Sequence, residues 1–311
     1  MMNEYVPKGQ RILITGGGGF IGSHLVDALI DTNEVRVLDD FSTGFRNQVA
    51  PGATVFEGDI RDEAVLTRAM DGVDIVFHEA AMVSVPKTVA NPLASEAVNA
   101  MGTVQLLERA RRESARVVCA SSAAIYGQPE RVPISEDDRL KPTSPYGIQK
   151  LTLDHYTRLY NDLYDLDTVT LRYFNVYGPR AEAGEYSDVV SVFVRQARAG
   201  DPITIEGSGQ QTRDFVHVDD VVQANCLAAT TDATGEAYNI GSGAETTITE
   251  LSTLVKEQMR SESPIEHVDP RPGDIDESVS DISKARRKLG YEPSFNIESG
   301  LKTLRQIRER N

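Results

Sequence analysis

Arg11-Ile12-Leu13-Ile14-Thr15-Gly16-Gly17-Gly18-Gly19-Phe20-Ile21-Gly22-Ser23-His24 is the stretch on which the fold turns. Arg11 to Thr15 reads as a short apolar strand and Phe20 to Asp31 as a helix. A glycine turn between them lets the backbone approach a pyrophosphate, and the helix N-terminus offers free N–H groups with a favourable dipole. Two spacings fit, Gly16, Gly19, Gly22 and Gly17, Gly19, Gly22. Glycine also serves tight turns for steric reasons alone. The strand before, the helix after, and an acid 17 residues beyond Gly22, at Asp39, favour a dinucleotide site. Asp39 ends the next strand, where a carboxylate accepts hydrogen bonds from ribose hydroxyls and repels a 2′-phosphate. That predicts NAD rather than NADP.

Outward from this turn the same alternation continues. Val35 to Asp39, Thr54 to Glu57, Val73 to His78, Arg116 to Ala120 and Thr168 to Tyr173 read as strands, with helical patterns such as Pro92 to Arg112 and Pro145 to Leu163 between them. Continuous apolar strands alternating with helices predict an α/β protein, a Rossmann-type doubly wound parallel sheet covered on both faces. After Asn175 the pattern loosens. Helices follow at Val221 to Ala229 and Thr247 to Met259, the second opened by a Thr247/Glu250 capping box. We expect a dinucleotide domain over 1–174, with a return around 215–244. A smaller C-terminal substrate lobe takes 175–214 and 245–311.

Composition narrows the function classes. The 311 residues carry 47 acids against 32 bases, a net charge of −15 spread along the chain. Such a surface repels nucleic acid and anionic lipid, so neither is an expected partner. Its acidity also suits solubility in high salt. Met1 to Gln10 has no apolar leader core and no run is long enough to span a bilayer, which predicts a cytoplasmic protein. Cys119 and Cys226 form no metal-ligand cluster, and no metal is expected.

The chemistry concentrates in two places. Val118-Cys119-Ala120-Ser121-Ser122 puts a serine at a strand's C-terminal end, where open α/β sheets bind ligands. Tyr146-Gly147-Ile148-Gln149-Lys150 is a YxxxK on a helix, with both side chains on one face. An ammonium beside a phenol lowers its pKa and lets tyrosine act as a base.

With these motifs together, the chain resembles the extended short-chain dehydrogenase/reductase superfamily, and within it the UDP-glucose 4-epimerase group. The resemblance rests on Thr15 to Gly22, Gly58-Asp59-Ile60, His78-Glu79-Ala80-Ala81, Asn99 with Gly102-Thr103, Ser121-Ser122, Tyr146 to Lys150, Leu171 to Asn175, Arg213-Asp214-Phe215 and Arg271-Pro272-Gly273-Asp274. The group uses the GxxGxxG spacing, so it implies Gly16, Gly19 and Gly22, with Phe20 and Ile21, at the cofactor. Asp39, Asp40, Ser42, Asp59, Ile60, Ala80, Ala81, Val83, Asn99, Tyr146, Lys150 and Tyr173 join them. For a nucleotide-sugar it implies Ser84, Ser122, Tyr146, Phe174, Asn175, Val189, Val190, Thr204, Arg213, Arg271, Asp274 and Ser278. The implied reaction is NAD-dependent inversion at C4 through a 4-keto sugar, with Ser122, Tyr146 and Lys150 catalytic. UDP-glucose and UDP-galactose are the implied substrates. Ser278 stands where related enzymes confined to those sugars carry tyrosine, so the N-acetylated sugars are expected too.

The 4,6-dehydratases, by resemblance, carry an Asp-Glu pair where this chain has Ala123 and Ala124, so dehydration is not expected. Decarboxylation of a UDP-uronic acid is the alternative reaction. A non-catalytic NAD-binding regulator is the alternative of another class, against which the intact Ser122, Tyr146 and Lys150 argue. The group also pairs its two long helices across a two-fold axis, which implies a homodimer.

Overall fold

Strands with apolar side chains on both faces have to be covered on both, and that requirement shapes the molecule. A computed structural model describes residues 5–181, 188–270 and 273–306. The chain runs β1 (Arg11–Thr15), α1 (Phe20–Leu29), β2 (Glu34–Asp39), β3 (Thr54–Glu57), α2 (Glu63–Met70), β4 (Ile75–His78), α3 (Val85–Ala90), α4 (Pro92–Glu96), α5 (Gly102–Glu113), β5 (Arg116–Ser122), α6 (Pro145–Tyr164) and β6 (Thr168–Tyr173). It continues with β7 (Asn175–Tyr177), α7 (Val189–Ala199), β8 (Ile203–Glu206), β9 (Thr212–Arg213), β10 (Phe215–His217), α8 (Val218–Thr230), β11 (Glu236–Ile240), β12 (Thr246–Thr247), α9 (Ile248–Met259), β13 (Ile265–Val268), α10 (Ser283–Leu289) and α11 (Ile297–Gln306).

Seven strands form one parallel sheet in the order β11-β6-β5-β4-β1-β2-β3. Strand order reverses between β1 and β4, which opens a crevice at their C-terminal ends. Side-chain alternation divides the core. Ile12, Ile14, Val118 and Ala120 meet α1, α8 and α10 on one face. Leu13, Val76, Val117 and Cys119 meet α2, α5 and α6 on the other. A third cluster packs Val190, Phe193 and Val194 of α7 against Ile203 and Ile205 of β8 and Leu251 and Val255 of α9.

The expected strands are present, with shifted ends. The fourth starts at Ile75, and the fifth runs on to Ser122. The long helix from Pro92 contains a π-helical turn at Ala97–Met101, carrying Asn99. The helix expected from Val221 starts at Val218, because the His217 ring accepts the Asp219 N–H as its N-cap. The Thr247/Glu250 capping box forms at the start of α9. No described helix is long and apolar enough to cross a membrane.

Candidate active site

The glycine turn comes first because steric crowding leaves it no other residue. Gly16 has φ +73°, and a Cβ there would lie 2.8 Å from the Ala80 nitrogen. A Cβ on Gly22 would lie 2.2 Å from the Gly16 carbonyl oxygen, so α1 packs directly on the strand end. Gly19 is the N-cap and offers no side chain, and the first turn of α1 carries no acid. The first N–H groups of α1 therefore remain for an anion. Asp39 is 9% exposed; its Oδ2 accepts the Gly18 N–H at 2.8 Å and its Oδ1 the Phe41 N–H at 2.8 Å. Burial pushes this carboxyl above its ordinary range, opposed by those two bonds. Each oxygen keeps a second lone pair for a ribose hydroxyl.

The loop after β2 closes over the turn, with the Phe45 N–H donating to the Gly18 carbonyl at 2.8 Å. Asp40 and Ser42 engage each other, the Ser42 hydroxyl donating to Asp40 at 2.6 Å. Asp59 is paired with Arg61, and Ile60 is buried beside it. The enzyme reconstituted with NADP should show far less activity than with NAD; equal activity would reduce Asp39 to a turn residue.

Past β4, a buried chain of hydrogen bonds sets the cleft wall. The Thr103 hydroxyl spends its proton on the Asn99 carbonyl at 2.7 Å, so it accepts from His78 Nε2–H at 2.9 Å. His78 Nδ1 is then the acceptor of the Thr15 hydroxyl at 2.8 Å, and Thr15 in turn accepts the Ala80 N–H. Burial, with Lys150 adding to it, lowers the His78 pKa to about 3, consistent with a neutral ring. The Asn99 side chain clamps Met82 through both its N–H and its C=O, at 2.7 and 3.0 Å, and donates to Gln149 at 2.8 Å. Asn99 thus positions the half-buried Ala81 and Val83. Ser84 caps α3.

Ser122, Tyr146 and Lys150 converge at the C-terminal end of β5. The Ser122 hydroxyl accepts the Ala124 N–H at 3.2 Å, and Ser122 is close enough to the Tyr146 phenol to influence its titration. Lys150 is buried, its ammonium donating to the Ala120 carbonyl at 2.6 Å and standing 5.9 Å from the Tyr146 ring centre. Burial pushes the Tyr146 phenol up to about 12; Ser122 pulls it down and Glu79 pushes it further up. A base at neutral pH needs a cation beside its phenolate, and Lys150 is placed to be one.

The other expected substrate residues lie just after β6, on β7, α7, β8 and β9, and in the segment between β13 and α10. Phe174 packs near Tyr126 with ring centres 6.4 Å apart, and the Asn175 N–H bonds the Asp214 carbonyl. Val190 is buried behind the half-buried Val189, and Thr204 is engaged by Gln196 at 2.8 Å. Arg213 pairs with Asp274, and Ser278 hydrogen-bonds through its backbone to Thr212. Arg271 lies outside the described residues.

Sequence reasoning gave no role to three groups found here. Asp214 accepts from Ser242, Gly243 and Ser280 and ties the Arg213 strand to the Ser278 segment. Asp154 binds Arg172 and Arg158 one turn beyond Lys150, and its helical spacing from Tyr146 and Lys150 was the available signal. Glu79 is the third; nothing local marks it.

The sequence profile of the NAD dependent epimerase/dehydratase family matches residues 12–241. A putative UDP-glucose 4-epimerase of Methanocaldococcus jannaschii is 38% identical over 295 residues, covering 94% of this chain and 96% of that protein. The UDP-glucose 4-epimerase of Thermotoga maritima, solved with UDP-glucose, superposes with a TM-score of 0.92 at 38% identity, covering 96% and 99%. The UDP-N-acetylglucosamine 4-epimerase of Methanobrevibacter ruminantium superposes with 0.92 at 34%, covering 98% and 100%. A UDP-glucuronic acid decarboxylase of Xenopus tropicalis is 33% identical, covering 96% of this chain and 72% of its own.

Proposed function

As a member of the NAD-dependent epimerase/dehydratase family, the chain carries a catalytic constellation that narrows the reaction, and we propose that it inverts C4 of a UDP-sugar through a 4-keto intermediate. The observation that carries this reading is the convergence of Ser122, Tyr146 and Lys150 at one strand end, with alanines at the two positions after Ser122. Tyr146 takes the proton of the sugar 4-hydroxyl. Ser122 holds the 4-oxygen, and Lys150 supplies positive charge beneath the phenolate ring. Bound NAD would rest on Gly16, Gly19 and Gly22, with Asp39 at its ribose, and supplies the hydride acceptor and donor. Ala123 and Ala124 cannot move the protons that loss of water requires, which favours hydride return. The test is a product assay: UDP-glucose should yield a mixture with UDP-galactose. Release of carbon dioxide from UDP-glucuronate in place of this would favour decarboxylation.

The substrate range extends to N-acetylated sugars because Ser278 is small. An acetamido group at C2 needs volume that a phenol ring would fill, and overpacking typically costs about 1–3 kcal/mol. Ser278→Tyr should remove turnover of UDP-N-acetylglucosamine about tenfold or more relative to UDP-glucose. Equal loss of both activities, or a wild type confined to UDP-glucose, would end the gate assignment.

The protein acts as a homodimer. Val89 (60% exposed), Leu93 (87%), Ile148 (53%) and Leu163 (61%) leave an apolar surface on α3, α4 and α6 that a second copy would cover. Light scattering at micromolar concentration should give twice the chain mass; a monomer would refute this.

A further inference from the structure

The wall of the cofactor cleft and the helix that carries Tyr146 and Lys150 are joined by one buried amide. Gln149 lies between those two residues on α6, and its side chain reaches Ser95 of α4 and Asn99 of the π-helical turn. All three side chains are buried. The direction of every bond follows from a backbone group of fixed polarity. The Met82 N–H donates at 2.7 Å, so the Asn99 atom facing it is the oxygen. The Asn99 nitrogen then spends its two hydrogens on the Met82 carbonyl at 3.0 Å and on Gln149 Oε1 at 2.8 Å. Gln149 therefore turns its nitrogen to Ser95 Oγ at 2.8 Å, and the Ser95 hydroxyl passes its own hydrogen to the Pro92 carbonyl at 3.1 Å. Among the described residues, Gln149 Oε1 is the one side-chain oxygen to which Asn99 donates.

We propose that Gln149 is a positioning residue for the cofactor: it holds the Asn99 amide in the orientation that clamps Met82, and so keeps the wall at 80–83 in register with the catalytic helix. Without Gln149 Oε1 one buried Asn99 N–H has no acceptor, and the orientation that makes both Met82 bonds loses its support. NAD then has to order the wall each time it binds, and that ordering weakens its binding. The proposal rests on the reading that NAD lies against Ala80, Ala81 and Val83.

Its test reads NAD retention rather than turnover. NAD-loaded enzyme is diluted, and the dissociation constant is taken from the cofactor that stays bound. Gln149→Leu should hold NAD about tenfold more weakly, a typical effect of one unsatisfied buried donor. Gln149→Met, unbranched, should do the same. Gln149→Glu keeps an oxygen for Asn99 and, when neutral, a hydrogen for Ser95, and should stay within about twofold of wild type. Ser95→Ala leaves the Asn99 bond in place and should also stay close to wild type. In an Asn99→Ala background the Leu substitution should add nothing, because both act through one contact. An amide that merely packs the helices would lower the unfolding midpoint and leave the NAD constant unmoved. Unchanged NAD affinity in the Leu and Met variants would therefore overturn the proposal. So would a Ser95→Ala loss as large as that of Gln149→Leu, a further loss of similar size without Asn99, or failure of both apolar variants to fold. A wild type that held no NAD would instead defeat the cofactor site itself.

Discussion

Tyr146→Phe should cost at least about 100-fold in kcat, the lower end of what a general acid–base group contributes, while leaving the fold and the bound cofactor in place. The phenol oxygen is the only heavy atom removed. The ring itself packs as before. A thermal unfolding midpoint within a degree or two of wild type and unchanged cofactor content would separate lost chemistry from lost structure. Lys150→Ala is a poorer probe, because it also empties a buried site and strands the Ala120 carbonyl. Near-normal turnover by the phenylalanine variant would end the mechanism proposed here.

The second large effect is on stability. Arg172 and Asp154 are both almost fully buried, paired at 2.8 Å, and Arg172 also donates to the Tyr126 hydroxyl and the Glu136 carbonyl. Removing Arg172 leaves the buried Asp154 with only the partly exposed Arg158, and breaking such a buried pair typically costs about 3–5 kcal/mol. Arg172→Ala should therefore lower the unfolding midpoint by on the order of 10 °C, read by calorimetry. Replacing both by apolar residues of similar volume should be far milder. Burial alone would raise the Asp154 carboxyl, but the bonds and charges of Arg172 and Arg158 outweigh it and hold it below the ordinary range. A depressed carboxyl stabilises above its unfolded pKa and loses that contribution as pH falls through the folded value. The deficit of Asp154→Asn should accordingly be full near neutrality and shrink in acid. A deficit that grew in acid would contradict the pairing. Because Asp154 sits one helical turn beyond Lys150, the pair also fixes the helix that carries the catalytic group.

Much of this was legible in the sequence because it depends on local pattern. Apolar runs such as Ile12 to Ile14 and Val117 to Ala120 could be placed as buried parallel strands from their length and lack of alternation. The glycine turn and the YxxxK helix carried their own spacing. What was not legible depends on distant partners. The place of Glu79 is set by Tyr173, 94 residues on, and through it by Asn225. Asp214 takes its meaning from Ser242 and Ser280, 28 and 66 residues away. The π-helical turn that aims Asn99 at Met82 leaves no mark on a helical pattern read at ordinary periodicity.

The most direct test of the central claim is the fate of the hydrogen at C4. UDP-glucose carrying deuterium at C4 should be converted by the purified enzyme into UDP-galactose with the deuterium still at C4 and none exchanged with water, as hydride removal and return within one closed site require. Deuterium lost to solvent, or no UDP-galactose formed at all, would contradict C4 inversion by Ser122, Tyr146 and Lys150.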